Sequence, residues 1–579
     1  MRALYSKLSA ITAWQASLII GICGLAFFSS GLTSPFQGDD LLQIVQNPYV
    51  HSLKNLPAFF SHGTFYGLNS TGTLTGSYYR PLMTTVFSVL YTLFGLHSFY
   101  FHLFQLLVCI GSAILLYLVL RYSFKPPLAL FLSLIFLLHP LDSDVVYMIP
   151  CMQDVLFFFF GILAFYLLVR FTSVKSLGLV VLCLFLSLLS KETAVVFIGV
   201  SLLFLLWWDR KRLLPFIAIL LAPIVLYLVL RSHAIGLMGS NPNEAPILRL
   251  DLAARLITMP SIVQFYITKL VFPWKLANAY FWVYSKFSIS HVVVPLMLDM
   301  LVVALFIFAA FRIRRHGSKA LFYTYLFFGL WTTLGLLTTL QIIPLDMTAS
   351  EAWFYFPMVG VLGMIGIYLT VFPLRIAPEV LLVAAIVLLG LYGIRTFLRG
   401  FDYNNPEELA YKNIANSKED YIGLDLVATY KIGAGNYNQA VPYLRRSIAI
   451  FPTVVNYNLY GTLLLQKDEF SSARNAFLTG LKYGTENSLY DGLGKLTVVS
   501  GDYLSNLDEL NAGLKQYPHD ANLWLYLALL KDRYGYNPQA VSAIKNADKY
   551  GQVSPVIYDD ILSNASFQIS ISNSQSVTF

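Results

Sequence analysis

Charged residues are scarce in this chain of 579 residues: Asp, Glu, Lys and Arg make up 12% of it, whereas hydrophobic residues make up 57%. A soluble globular protein carries about twice that charged fraction. The scarcity therefore excludes an ordinary soluble protein. Apolar stretches of membrane-spanning length recur from residue 12 to about residue 397. Because a spanning segment must satisfy its own backbone hydrogen bonds, we predict an all-α, polytopic membrane helical bundle.

Cysteine is also rare, with four residues in the chain. These lie in or beside apolar segments and show neither metal-ligand spacing nor a paired pattern, which excludes a disulfide scaffold and a cysteine-based metal site. We predict no cofactor and no metal. The net charge of +8 is modest. Lys and Arg lie mainly in short loops, so the charge does not indicate nucleic-acid binding. The four cysteines are Cys23, Cys109, Cys151 and Cys183.

The basic residues of the short loops predict the topology, since such loops are enriched in Lys and Arg on the cytoplasmic side. Placing Arg2 and Lys7 in the cytoplasm gives about eleven crossings, a long outer loop at residues 34–80, and an extracytoplasmic C-terminal region. Residues 82–95 are too few to span and are interpreted as a re-entrant or interfacial helix. The predicted crossings are residues 12–33, 99–120, 127–140, 145–170, 175–190, 192–208, 213–231, 291–311, 321–343, 352–372 and 379–397.

A repeat follows the last apolar segment. Ala440, Ala473, Leu507 and Ala540 occupy equivalent positions at spacings of 33, 34 and 33 residues. This pattern resembles the tetratricopeptide repeat, a helix–turn–helix unit of about 34 residues. We therefore predict a membrane domain at 1–400, a tetratricopeptide α-solenoid at 401–560 and a polar tail at 561–579. The solenoid either binds a peptide or partner protein, or packs without a ligand.

Two adjacent acids, Asp39 and Asp40, follow the first apolar segment. An ionised carboxylate near hydrocarbon is costly and therefore needs an explanation. Two together predict a site where one holds a proton or accepts one from a substrate. The alternative interpretation is a solvated loop that happens to be acidic.

Several local patterns now occur in order along the chain. They are FQGDDLLQIVQNPYV at 36–50, Tyr79-Arg80-Pro81-Leu82, the segment His139 to Asp144, Ser190-Lys191-Glu192-Thr193, and the segment Glu351 to Pro357. Together with the repeats, they resemble the GT-C glycosyltransferases. The resemblance is strongest to the branch with transmembrane helices followed by tetratricopeptide repeats, the O-mannosyltransferase-like proteins.

The resemblance implies an inverting transfer of a sugar from a polyprenyl-phosphate donor to an acceptor hydroxyl on the extracytoplasmic face. Asp39 or Asp40 would be the general base, one acid reacting while the other orients, and we prefer Asp40. The repeats would position a protein or glycan acceptor. The compartment would be a bacterial or archaeal plasma membrane, or the endoplasmic reticulum in a eukaryote.

A lipid phosphate at the membrane surface requires cationic or donor groups. Arg80 and Lys191 are the candidates, with His139 as a further possible donor. Each of the three also has a structural interpretation that involves no phosphate. Arg80 would extend its charged end to the membrane interface, Lys191 would form an ion pair between helices, and His139 would cap a helix. The supporting acids are Asp144, Glu192 and Glu351.

Two positions depart from the pattern of the family. Met152 and Ala352 stand where its members often have arginine. These departures favour one alternative to an enzyme, a membrane scaffold that has lost catalytic activity and binds a partner through its repeats. The other alternative is a lipid or solute transporter. A transporter would show internal symmetry between membrane halves, which the sequence does not display.

Overall fold

A computed structural model of the protein describes residues 10–66, 78–236, 243–501, 506–551 and 553–563. Within these ranges the regular elements are helices, apart from one isolated bridge between Tyr280 and Ala349. The all-α prediction is confirmed. The described chain forms two compact units, one ending at Glu419 and the other beginning at Asp420. Arg2, Lys7 and most of the predicted tail 561–579 lie outside the described residues.

The first unit is a bundle of α-helices joined by short 3₁₀ and π turns. The helices are α1 (Ala13–Phe28), α2 (Leu56–Ser61), α3 (Pro81–Phe94), α4 (Ser98–Leu120), α5 (Pro126–Leu138), α6 (Ser143–Tyr147), α7 (Met152–Arg170), α8 (Leu177–Ser190), α9 (Val195–Trp208), α10 (Arg210–Ile235), α11 (Leu252–Val271), α12 (Val294–His316), α13 (Lys319–Leu337), α14 (Tyr355–Val371), α15 (Pro378–Tyr403) and α16 (Pro406–Asn416).

Fewer helices than predicted are long enough to cross a membrane. The described residues contain eight, or nine if Pro126–Leu138 and Pro140–Tyr147, which bend by 46° at His139, form one span. The prediction of eleven also counted Val174–Ser190 and Glu192–Trp208, which are shorter apolar helices. At 1.5 Å per residue, 17 residues reach about 25 Å, less than the roughly 30 Å hydrocarbon core. This many long apolar helices is typical of an integral membrane protein.

Close helix packing forms the core of this unit, and glycine permits it between α13 and α14. A Cβ atom at Gly360 would lie 2.2 Å from Thr332 Oγ1 and 2.4 Å from Phe328 O. Trp331, which is fully buried, donates from Nε1 to Phe356 O at 3.1 Å. Such tight packing fixes the helix ends, and these ends carry the polar residues considered below.

The second unit consists of helix pairs that repeat along the chain. The first helices of the pairs begin at residues 421, 454, 487 and 521. The turns within the pairs contain residues with positive φ at 435, 468, 501 and 535. This confirms a helical C-terminal region, and its assignment to the tetratricopeptide class stays a prediction. The helices are α17 (Tyr421–Gly433), α18 (Tyr437–Ile450), α19 (Val454–Gln466), α20 (Phe470–Gly480), α21 (Asn487–Ser500), α22 (Leu507–Gln516), α23 (Ala521–Arg533), α24 (Asn537–Tyr550) and α25 (Pro555–Leu562).

Candidate active site

The acidic pair lies in the connection after α1, and the backbone directs its two side chains differently. Gly38 has φ +57°, a conformation that glycine adopts without strain. Asp40 then accepts a hydrogen bond from Gln37 N–H at Oδ2 (3.1 Å) and is 2% exposed. Its Oδ1 atom makes no hydrogen bond within the described residues. Asp39, by contrast, is exposed. One carboxylate therefore shapes the loop, and the other is accessible.

The surroundings raise the pKa of both acids. Burial raises the pKa of Asp40 well above its ordinary value, the Gln37 N–H lowers it, and Asp39 raises it further. Water reaches Asp39, but protein on most sides desolvates it, and this is the main reason that its pKa is raised. Asp346 raises the pKa of Asp39 further, and Arg80 opposes the shift. A carboxyl with a raised pKa is a stronger base when ionised, as proton abstraction from a hydroxyl requires.

Arg80 connects the acidic pair to three other elements. Its guanidinium lies 4.1 Å from the centre of the Tyr78 ring, and the Tyr78 hydroxyl donates to Asp346 Oδ2. Arg80 Nη2 lies 3.4 Å from Glu192 Oε1. Burial would lower the pKa of Arg80, but Glu192, Tyr78, Asp154 and Asp346 raise it, and the net shift is upward. Arg80 is therefore a permanent cation in a largely acidic environment.

Lys191 and Glu192 are neighbours in sequence but have different partners. Lys191 Nζ donates to Asp154 Oδ1 at 2.6 Å, and both side chains are buried. Glu192 faces Arg80, and its Oε2 atom has no hydrogen-bond partner in the described chain. Arg231, at the end of α10, is also close to Glu192. We call Asp39, Asp40, Tyr78, Arg80, Lys191, Glu192, Asp154, Arg231 and Asp346 the Asp39 cluster.

A second polar cluster centres on Arg399 in the last long helix, α15. Arg399 Nη2 donates to Asp144 Oδ1 at 2.5 Å and to Glu351 Oε2 at 3.2 Å. The Tyr403 hydroxyl also donates to Asp144 Oδ1. All of these side chains are buried. The ionic contacts join α15, α6 and the 3₁₀ turn before α14, which are distant in sequence.

Lys269 extends this second cluster. Its Nζ atom lies 3.7 Å from Glu351 Oε1 and donates to Tyr280 Oη at 2.9 Å and to Lys275 O. Tyr280 Oη in turn donates to Glu351 Oε1 at 2.6 Å. We call Asp144, Lys269, Tyr280, Glu351, Arg399 and Tyr403 the Arg399 cluster. Its polar groups largely satisfy one another, as buried polar groups must.

His139 uses both ring nitrogens on the backbone. Its Nδ1 atom accepts from Leu141 N–H at 3.2 Å, and its Nε2 atom lies 3.0 Å from Leu270 O. This capping arrangement stabilises the bend between α5 and α6. A contact between His139 and a donor phosphate would require one of these bonds to break.

Apart from His139, the site residues predicted from sequence thus divide between two clusters. Asp39, Asp40, Arg80, Lys191 and Glu192 lie in the first, whereas Asp144 and Glu351 meet through Arg399. Sequence reasoning missed the partners of these residues, although an arginine within an apolar helix signals a buried contact. The missed partners are Tyr78, Asp154, Arg231, Lys269, Asp346 and Arg399.

The arginine positions of the family are apolar and buried in this chain. Met152 is fully buried and Ala352 is 4% exposed. Arg399 nevertheless supplies a guanidinium directly to Glu351, the neighbour of Ala352. Across the described residues, no group of three or more His, Cys, Asp or Glu side chains is arranged to hold a metal ion. The absence of metal dependence stays a prediction.

Spanning helices whose ends carry paired acids and buried arginines define a polytopic membrane protein with a polar site, similar to GT-C proteins. The chain resembles proteins that are named protein O-mannosyl-transferase. It is 30% identical over 207 residues to protein O-mannosyl-transferase TMTC1 of Homo sapiens, covering 33% of this chain and 23% of that protein. The mouse protein of the same name is 30% identical over 209 residues, covering 34% of this chain.

The chain spans less than a quarter of the length of these curated relatives: 23% of the human protein and 22% of the mouse protein. No protein-family model matches the chain.

Proposed function

We propose that the chain is an integral membrane glycosyltransferase of the inverting GT-C type. It transfers a sugar from a polyprenyl-phosphate donor to an acceptor hydroxyl on the extracytoplasmic face. The similarity to the two O-mannosyl-transferases supports a membrane glycosyltransferase in general. The observation that carries the proposal is the exposed Asp39, held beside Arg80 and next to the buried Asp40.

Asp39 is the general base in this proposal, although the sequence favoured Asp40. A base must come within hydrogen-bond distance of the proton that it removes. Asp39 is exposed, whereas Asp40 is 2% exposed and one of its oxygens is bonded to Gln37. Asp40 orients the loop through its bond with Gln37 N–H, and the charge that raises the pKa of Asp39 comes from Asp346.

The reaction requires three changes at the site. The acceptor hydroxyl gives its proton to Asp39 as the oxygen bonds to the anomeric carbon of the sugar. The bond from that carbon to the donor phosphate breaks on the opposite face, which inverts the anomeric configuration. The leaving phosphate gains negative charge, and a nearby cation lowers the barrier by stabilising it.

Arg80 is the cation that we assign to the phosphate, with Arg231 as a second. Arg80 Nε and Arg231 Nη1 are buried atoms without a hydrogen-bond partner in the described residues. Both side chains approach Glu192, which balances one of the two charges. Lys191 is less available because Asp154 already binds its ammonium at 2.6 Å. Arginine also suits phosphate because its planar group donates two parallel hydrogen bonds.

The C-terminal unit positions a protein or glycan acceptor in this proposal. Repeated helix pairs expose an extended surface without requiring a closed pocket, which suits a peptide-like ligand. Their period and their regular turns support a tetratricopeptide-like array. The classes of donor lipid, sugar and acceptor are assigned only as part of this proposal.

A catalytically inactive scaffold is the second candidate, because one observation favours it. Met152 and Ala352 are buried apolar side chains where arginines are frequent in the family that the sequence resembles. A scaffold would keep the bundle and use the C-terminal unit to hold a partner.

The test is sugar transfer by the purified full-length protein. Polyprenyl-phosphate sugars would be supplied with serine- and threonine-containing peptides and with glycans, and released lipid phosphate would be measured. We expect Asp39→Asn to lower transfer by about 10²–10⁴-fold, the usual contribution of a general base. Glu408→Gln is the matched control, since Glu408 is exposed and pairs with Lys412 at the surface.

The outcomes separate the candidates. Loss of transfer in Asp39→Asn with unchanged thermal stability supports the enzyme and names the base. Full activity in that variant refutes the assignment. Inactivity of the wild type with every donor, together with co-purification of a partner through the C-terminal unit, supports the scaffold.

A further inference from the structure

A concave site lies in the first unit, between α11 and the segment that leads into α12. It encloses about 220 Å³. Drug-sized ligands occupy pockets of about 300–1,000 Å³, so this volume suits a smaller molecule. None of the Asp39 cluster lines it. Lys269 of the Arg399 cluster forms part of its wall.

Aromatic rings build one side of this pocket. Phe265, Trp282, Tyr284 and His291 line it. The Trp282 and Tyr284 ring centroids are 5.5 Å apart, and His291 stacks on Tyr284 at 4.2 Å with an angle of 9° between the planes. Flat aromatic faces of this kind pack against the apolar face of a ring-shaped ligand.

The wall is fixed by hydrogen bonds to α11. Thr258 Oγ1 donates to Tyr284 O and accepts from Tyr284 N–H, both at 3.1 Å. Ser261 Oγ donates to His291 O at 2.6 Å. The backbone that carries Tyr284 and His291 is therefore held in place before any ligand binds, and this lowers the entropic cost of binding.

Polar groups complete the lining. The side chains of Gln264, Thr268 and Tyr284 line the pocket and make no hydrogen bonds among the described residues. They offer donors and acceptors together, through one amide and two hydroxyls. A ligand with several hydroxyl groups can therefore bond to them while one of its faces packs on the aromatic rings.

The pocket disfavours an anion. Lys269 is its buried cation, and the ammonium is already committed to Tyr280, to Lys275 O and to Glu351. An anionic ligand would have to compete with the Glu351 carboxylate for it. A lipid chain is also disfavoured, since it would leave the amide of Gln264 and the hydroxyl of Thr268 without partners.

We propose that this pocket binds one neutral sugar ring, stacked on Trp282 and bonded through Gln264. A glycan and a lipid-linked sugar both present this ring, with the same face and hydroxyls available. The site is separate from the Asp39 cluster, so the inference does not depend on the proposed transfer reaction.

Saturation-transfer difference NMR on the full-length protein in lipid nanodiscs tests this, with methyl α-hexopyranosides as probes. We expect signal from the wild type for at least one hexoside. Trp282→Ala should weaken its binding by roughly 10-fold, equivalent to about 1.4 kcal/mol. Trp274→Ala is the control, because Trp274 is 76% exposed and lies outside the pocket. The control should bind like the wild type.

Gln264→Met keeps the length of the side chain and removes the amide, so it tests the polar contact if Trp282→Ala fails to fold. Competition by a soluble glycan or by a polyprenyl-phosphate hexose then identifies the source of the ring. Absence of signal for every hexoside, or equal binding by the wild type, Trp282→Ala and Gln264→Met, overturns the proposal. Loss of transfer activity in Asp39→Asn with hexoside binding intact would separate the two sites.

Discussion

Replacing Arg399 with methionine should strongly destabilise the first unit. The Arg399 side chain is 3% exposed, and its Nη2 atom lies 2.5 Å from Asp144 and 3.2 Å from Glu351. Those carboxylates are 1% and 0% exposed. Methionine fills a similar length but supplies neither the charge nor the hydrogen bonds, so two buried acids lose their shared partner.

The magnitude follows from the cost of uncompensated buried charge. Removing one partner of a buried ion pair costs about 3–5 kcal/mol. Lys269 stays 3.7 Å from Glu351, and the Tyr403 hydroxyl still donates to Asp144, so part of the network survives. We therefore expect the lower end of that range, about 3 kcal/mol. At about 2.1 cal/mol/K of unfolding entropy per residue, a first unit of roughly 400 residues would lose roughly 3–4 °C in the midpoint of thermal unfolding.

Thermal unfolding of the full-length protein in one detergent measures the effect. Arg395→Met is the matched control, because Arg395 lies one helical turn earlier and its guanidinium donates to Trp274 O at 3.0 Å. Adding Asp144→Asn to Arg399→Met should restore much of the loss, because Glu351 keeps its ion pair with Lys269 and no buried carboxylate then lacks a cation. An Arg399→Met protein as stable as Arg395→Met would refute the reasoning.

Three further predictions concern other parts of the chain. Asp346→Asn should lower the pKa of Asp39 by removing a nearby negative charge, so the acidic limb of the kcat/KM profile for sugar transfer should move to lower pH. Gly360→Ala should lower the unfolding midpoint because its Cβ would meet Phe328 O at 2.4 Å, whereas Gly21→Ala, with nothing within 4 Å, should not. Burial raises the pKa of Asp425 from 3.8 to about 8, so its contribution to stability is lost as pH rises from about 4 to 8. Asp425→Asn should therefore slow hydrogen exchange in α17 at pH 8 more than at pH 5, after correction for the intrinsic rate; equal protection at both pH values would contradict this.

Local patterns in the sequence were sufficient to predict the main features of the fold. Apolar runs of spanning length require helices whatever their neighbours are, because an unpaired backbone group in hydrocarbon is too costly. The spacing between Ala440 and Ala540 predicted regular helix pairs, and these occur. Fewer long apolar helices occur than the crossings predicted, because hydropathy does not reveal where a helix bends, as at His139, or where it is shorter than a full span.

The sequence also identified acids and cations that lie in the polar clusters, because charge in an apolar chain is conspicuous without a structure. Their partners could not be derived in this way. Arg399 meets Asp144 across 255 positions of sequence, and Tyr78 meets Asp346 across 268. No local pattern connects residues so far apart, since their proximity depends on how the helices pack.

The sequence by itself determined the helical class, the repeated C-terminal region and the presence of an acidic pair, since each depends on neighbouring residues or on composition. Tertiary structure decided which acid of the pair is accessible, that Lys191 binds Asp154, and that Arg399 serves both Asp144 and Glu351. The physical reason is that burial and electrostatic partners are properties of the packed chain: of two adjacent aspartates, Asp40 is buried and anchors the loop, whereas Asp39 is exposed.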